Sequence, residues 1–156
     1  MNVEELKKKF LDNIKTAQEE KIQDNQIFIK IDKEDIKTVS KFIKEQFDDV
    51  NKILEQVFAI DFPDRNEMEM IYTWWFIEYH ALVHFRVILP YDDLKVVSIQ
   101  DDWVAANWHE RETWEMFGID FEGHPNLKQF LLSDELFGKH PMRKSFKIEH
   151  NPEEAK

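Results

Sequence analysis

Near the start of the chain Val3, Leu6, Phe10, Ile14 and Ala17 recur at helical spacing, which predicts an amphipathic helix over residues 3–20 with a lysine-rich outer face. The rhythm then changes. Ile27-Phe28-Ile29-Lys30-Ile31 is short and β-branched, a strand, and Asp32 stands as an N-cap before Ile36, Val39, Ile43 and Phe47, which mark a second helix. Helical spacing continues through Val50, Ile53, Leu54 and Val57, so Asp48 to Val57 is predicted to be helical, with Phe58 to Phe62 extended before Pro63. After a turn at Asp64-Arg65-Asn66-Glu67, Met68 to Tyr79 and Ala81 to Leu89 form two antiparallel strands joined tightly at His80. Lys95 to Ile99 supplies a further short strand.

Trp103 to Phe117 returns to helical spacing: Trp103, Ala106, Glu110, Trp114 and Phe117 share one face, with Ala105, Trp108, Glu112 and Glu115 along another. Gly118 fits the left-handed position that ends a helix, followed by Ile119 as its apolar contact. From Asp120 the chain alternates turns with short apolar pieces. The economical arrangement is an α+β domain over residues 1–147: a small, mostly antiparallel or mixed sheet, helices on one face, and an extended C-terminal segment. Residues 148–156 are a polar tail.

Composition narrows the function. A chain of 156 residues without cysteine fits one domain and offers no disulfide, thiolate metal site, cysteine nucleophile or ligand set for an ordinary iron–sulfur cluster. The net charge of −11 opposes binding to nucleic acid and anionic lipid. No apolar run reaches the ~20 residues of a membrane span, and MNVEELKKKF is not a secretory signal. The expectation is a soluble, cytoplasmic chain held at a membrane only by other subunits.

The residues that carry chemistry gather between Trp108 and Lys144. All three glycines lie there (Gly118, Gly123, Gly138), with His109, the pairs His124-Pro125 and His140-Pro141, and the triplet Glu110-Arg111-Glu112. Glu110 or Glu112 can be read as a general acid/base, or the triplet as structural clamps and interface. No nucleophile or glycine-rich phosphate loop accompanies them, which favours the second reading. His109, Glu110, His124 and His140 match no compact metal-ligand spacing, so the histidines are expected to bond backbone in the two His-Pro turns. Lys139, Arg143, Lys144 and Lys147 form a basic cluster suited to an acidic partner surface, or simply a solvated loop. Most of the five tryptophans are expected in the core, with one or two at an interface.

The same segment resembles the signature of the 30-kDa subunit family of respiratory complex I, shared with related membrane-bound hydrogenases. The matching residues are Ala106-Asn107-Trp108, Glu110-Arg111-Glu112, Met116-Phe117-Gly118-Ile119, Phe121, Gly123-His124-Pro125, Leu127, Leu131-Leu132 and His140-Pro141-Met142-Arg143-Lys144. The close match covers residues 98–146. It departs at Lys128-Gln129, at Lys139 between Gly138 and His140, and at Ser145. The resemblance implies a cofactor-free structural subunit of a membrane-associated peripheral arm. It would dock on a large catalytic subunit and support electron transfer through neighbouring Fe–S subunits, with Ni–Fe in the partner for the hydrogenase type. It implies partner-interface roles for Glu110, Arg111, Glu112, Phe117, Gly118, Gly123, His124, Pro125, His140, Pro141, Arg143 and Lys144, and a C-terminal segment extended across partner proteins. The short chain without cysteine favours an energy-converting nickel–iron hydrogenase over an NADH:quinone or other dehydrogenase. A stand-alone acid/base or metal enzyme is the competing class.

Overall fold

The computed structural model describes residues 3–47 and 51–148. Within them a five-stranded sheet runs in the order β1-β2-β5-β4-β3 (Gln18–Gln23, Gln26–Ile31, Ala81–Pro90, Glu67–Phe76, Lys52–Phe62). Strands β3, β4 and β5 form an antiparallel meander, and β5 lies parallel to β2, so the sheet is mixed. Helices α1 (Val3–Asn13) and α2 (Ile36–Gln46) bury Leu6, Phe10, Ile36, Val39 and Ile43 in the core. The sheet contributes Ile27, Ile29 and Ile31 of β2, Met68 through Phe76 at alternate positions of β4, and Val83, Phe85 and Val87 of β5. Phe10 is the hub, its ring meeting Phe42, Phe47, Phe76 and Phe85 at 5.1–5.9 Å.

Two sequence expectations fail here for physical reasons. The first helix ends at Asn13, not near residue 20, and Gln18–Gln23 is the edge strand β1. Thr16 diverts the chain: its hydroxyl donates to Asp35 at 2.8 Å and its N–H at 3.2 Å. The polar β1 is then held by pairing with β2 around a turn in which Asp24 has φ 53°, and by Glu20 on Arg86, which also binds Glu69 at 2.8 Å.

The predicted helix Asp48–Val57 is instead the start of β3; Asp48 to Val50 lie outside the described residues, as does all of the predicted tail beyond Ile148. The register shifts between Leu54 and Gln56, a β-bulge that places buried Leu54 and Val57 three residues apart on one face. That spacing imitates a helix. Asp32 stands where the chain turns into α2, but its side chain caps nothing, because a single helical turn at Lys33–Asp35 precedes α2.

A second, two-stranded parallel sheet joins β6 (Lys95–Val97) to β7 (Asp120–Glu122). These strands flank α3 (Ala106–Phe117) in sequence, so the small sheet ties both ends of that helix together. From residue 123 to 148 the described chain contains no helix or strand. Among the described residues no helix is long and apolar enough to cross a membrane.

Candidate partner interface around helix α3

Helix α3 carries the charged triplet, and each member points elsewhere. Glu110 is fully buried: its carboxylate accepts the Ser98 hydroxyl at 2.5 Å and the Ile99 N–H at 2.8 Å. Burial pushes its pKa up to about 7, outweighing the hydrogen bonds from Ser98 and Ile99, which lower it. Tyr72, whose buried hydroxyl has no hydrogen-bond partner among the described residues, is raised well above its ordinary value by burial and then by the Glu110 charge.

Arg111, also buried, donates through Nε to the Lys128 carbonyl at 3.1 Å and lies over both the Trp108 and Phe130 rings, 5.0 and 4.5 Å from their centres. Glu112 is exposed and makes no ion pair among the described residues. The clamping expected of the triplet is therefore divided: Glu110 pins residues 98–99, Arg111 pins residues 128–129, and Glu112 pins none of the described residues.

Glu115 is the residue that reasoning from sequence passed over. It is 1% exposed, and its carboxylate accepts the backbone N–H groups of Phe130, Leu131 and Leu132 at 3.0–3.4 Å. Arg111 and Glu115, one helical turn apart, thus divide the loop between them: the cation takes carbonyls and the anion takes N–H groups. The C-terminal segment, irregular as expected, lies against α3, with Trp114 against Phe137 and the Met142 N–H on the Met116 carbonyl at 3.2 Å.

The helix ends as predicted. Gly118 has φ 73° and its N–H bonds the Trp114 carbonyl at 2.8 Å. A Cβ there would lie 2.6 Å from His140 Nε2 and 2.8 Å from an Arg143 nitrogen, so close approach demands glycine as well. Arg143 Nε donates to the Phe117 carbonyl at 2.7 Å, placing a cation on the negative end of the helix. Arg143 is thereby a structural member of the basic cluster; Lys139, Lys144 and Lys147 are exposed.

The histidines do bond backbone. His140 Nδ1 meets the Glu115 carbonyl at 3.2 Å, and His124 Nδ1 accepts the Asn126 N–H at 3.1 Å, which leaves Nε2 to donate toward the Asn107 carbonyl at 3.4 Å. Burial lowers the His124 pKa, so its ring is neutral at pH 7 and its 3.9 Å approach to Glu110 is not an ion pair there. Of the four residues weighed as metal ligands, only Glu110 and His124 come together, and among the described residues no group of three or more His, Asp or Glu side chains is arranged to hold a metal. Of the remaining signature residues, Phe117 is buried, whereas Gly123 and Pro125 are exposed and Pro141 is half-buried.

The clamped loop and α3 together present Val104, Trp108 (55% exposed), Phe130 and Leu131 to solvent. Tryptophan and arginine-backed aromatics held rigidly on a surface are the composition of a protein-binding site. Fold and surface thus define an α+β domain in which α3 holds the irregular loop of residues 128–132 against itself.

The chain belongs to the family of the respiratory-chain NADH dehydrogenase 30 Kd subunit, whose model matches residues 29–152. A subunit of the F(420)H(2) dehydrogenase of Methanosarcina mazei is 35% identical over 118 residues, 74% of this chain and 72% of that protein. A subunit of the NADH-quinone oxidoreductase of Moorella thermoacetica is 35% identical over 62% of this chain, which spans 64% of that relative's length. In fold, the chain superposes on a chain of an archaeal membrane-bound sulfane sulfur reductase with a TM-score of 0.83, covering 93% of this chain and 85% of that one at 24% identity. A trypsin-resistant fragment of Nqo5 gives 0.62 at 23% identity, covering 80% of this chain and 96% of the fragment.

Proposed function

We propose that this chain is a non-catalytic subunit of the peripheral arm of a membrane-bound, complex I-related oxidoreductase. It docks on the large catalytic subunit and holds it in register with Fe–S subunits through which electrons pass. The observation that carries this reading is the preformed apolar surface of Trp108, Phe130 and Leu131, held by Arg111 and Glu115, in a chain of this family. Glu110, Arg111 and Phe117 are enclosed by their own chain: Arg111 fixes that surface, whereas Glu110 holds residues 98–99 and Phe117 receives Arg143 on its carbonyl. Glu112, Gly123, Pro125 and Lys144 are the signature residues free to touch a partner. The C-terminal domain boundary at residue 147 belongs to this proposal, since the turn closed by the Phe146 N–H on the Arg143 carbonyl at 3.0 Å lies just before it.

Among donor types, a dehydrogenase is favoured by the 35% identity to an F(420)H(2) dehydrogenase subunit over 74% of this chain. The energy-converting nickel–iron hydrogenase favoured by the sequence reading is the other branch. Affinity purification of the tagged native chain in mild detergent, with mass spectrometry and metal analysis, tests both. Iron and membrane subunits without nickel are expected; co-purifying nickel would move the assignment to the hydrogenase. Recovery of the chain alone, with activity or stoichiometric metal of its own, would overturn the subunit reading in favour of a stand-alone enzyme.

A further inference from the structure

On the flank of α3 away from the clamped loop, the helix and strand β3 leave a groove of about 480 Å³. Val57, Phe58 and Ala59 of β3, Met116 and Phe117 of α3, and Met142 make it apolar, while Glu112 and His109 face it from the helix. The segment that covers the other flank reaches Met142, whose backbone bond to Met116 builds one end of the groove, and continues to Lys144, whose N–H donates to Asp61 of β3 at 2.7 Å.

We propose that this groove seats a segment of a partner polypeptide carrying an apolar side chain next to a lysine or arginine. Charge selects that occupant. Glu112, in the wall of the groove, is exposed and makes no ion pair among the described residues. A second copy of this chain, with the same net charge of −11, would bring like charges together, whereas a cationic segment supplies the counter-charge that Glu112 lacks. Shape selects the rest of it. Phe58 is 37% and Met142 59% exposed, and two flexible methionines let the walls adapt to an inserted side chain.

The inference rests on the assembly reading above, and the test separates the two. Benzoylphenylalanine is installed at Phe58 and, separately, at Trp108 of the full chain in its native host. After irradiation, the cross-linked peptides are mapped by mass spectrometry. The expected product from position 58 joins a different polypeptide at an apolar residue adjoining a lysine or arginine. Glu112→Lys should cut its yield by about fivefold, and Glu112→Gln should lower it by less. The exposed position of Glu112 keeps the fold intact, which a thermal melt checks. Cross-linking to a second copy, to a segment without a cation, or with a yield indifferent to Glu112→Lys overturns the proposal. Silence at position 58 with a product from position 108 overturns the groove alone. Silence at both positions, with the chain recovered free of partners, overturns the assembly reading and the groove with it.

Discussion

Replacing Glu110 by Gln should flatten the dependence of stability on pH. The Glu110 carboxyl titrates near 4.5 in an unfolded chain and at about 7 when folded, because burial penalises the charged form by more than Ser98 and Ile99 repay. Between those values the folded state binds the extra proton, so stability falls as pH rises, and it levels off above about 7. Below 4.5 both states are protonated and the slope vanishes. At 1.36 kcal/mol per unit, a shift from 4.5 to about 7 corresponds to about 3 kcal/mol lost between acid and mildly alkaline conditions. Glutamine retains an acceptor for the Ile99 N–H and a donor for Ser98, and it does not titrate. Urea unfolding of both proteins from pH 4.5 to pH 8 should therefore show the variant gaining about 3 kcal/mol relative to wild type as pH rises. Titrating groups remote from Glu110 are common to both proteins and cancel in the difference, and the His124 ring, 3.9 Å away, is followed by its own NMR titration in each protein so that its contribution can be subtracted. Parallel curves would refute the buried, proton-binding Glu110 inferred here.

Glu115→Ala should release the loop it holds: amides of Phe130, Leu131 and Leu132, protected in the wild-type chain alone, should lose protection by about 2 kcal/mol or more in native-state hydrogen exchange, with β4 and β5 unaffected. Gly118→Ala combines a left-handed φ of 73° with a 2.6 Å approach to His140, so chemical denaturation should report a loss of roughly 2–4 kcal/mol. Arg143→Ala removes the cation from the Phe117 carbonyl and should cost about 1–2 kcal/mol in the same measurement, whereas Lys144→Ala on the exposed side should stay within about 0.5 kcal/mol.

What could be read from sequence followed from whether burial alternated cleanly. Met68, Met70, Tyr72, Trp74 and Phe76 are all buried at period two, so β4 and its partner β5 announced themselves. Gly118 was equally readable, because a left-handed helix end leaves few alternatives to glycine. Strand β1 was not, since Gln18–Gln23 is held by backbone pairing and the Glu20–Arg86 bridge rather than by an apolar stripe. The β3 bulge defeated periodicity outright, giving a strand the spacing of a helix. Glu115 escaped because its partners are backbone N–H groups fifteen to seventeen residues away, which leave no trace in side-chain pattern. The available signal was its position one turn after Arg111, ordinarily read as a local ion pair.

Helix geometry explains why one short motif can serve three purposes. Successive residues of an α-helix point about 100° apart, so Glu110, Arg111 and Glu112 necessarily leave α3 in three directions. Residues four further on return to the same sides. Glu115 joins Arg111 on the loop side, and Met116 joins Glu112 along the groove. Ordering an irregular loop costs roughly 1–2 kcal/mol per residue in backbone entropy. Because Arg111 and Glu115 hold residues 128–132 within the chain itself, the partner proposed to meet Trp108 and Phe130 would find that ordering already done, and more of the contact energy would appear as affinity. The three acidic or basic positions are then separable by measurement. Glu110 governs the pH dependence of folding, Arg111 the order of the loop, and Glu112, which makes no ion pair among the described residues, the contact with the proposed partner.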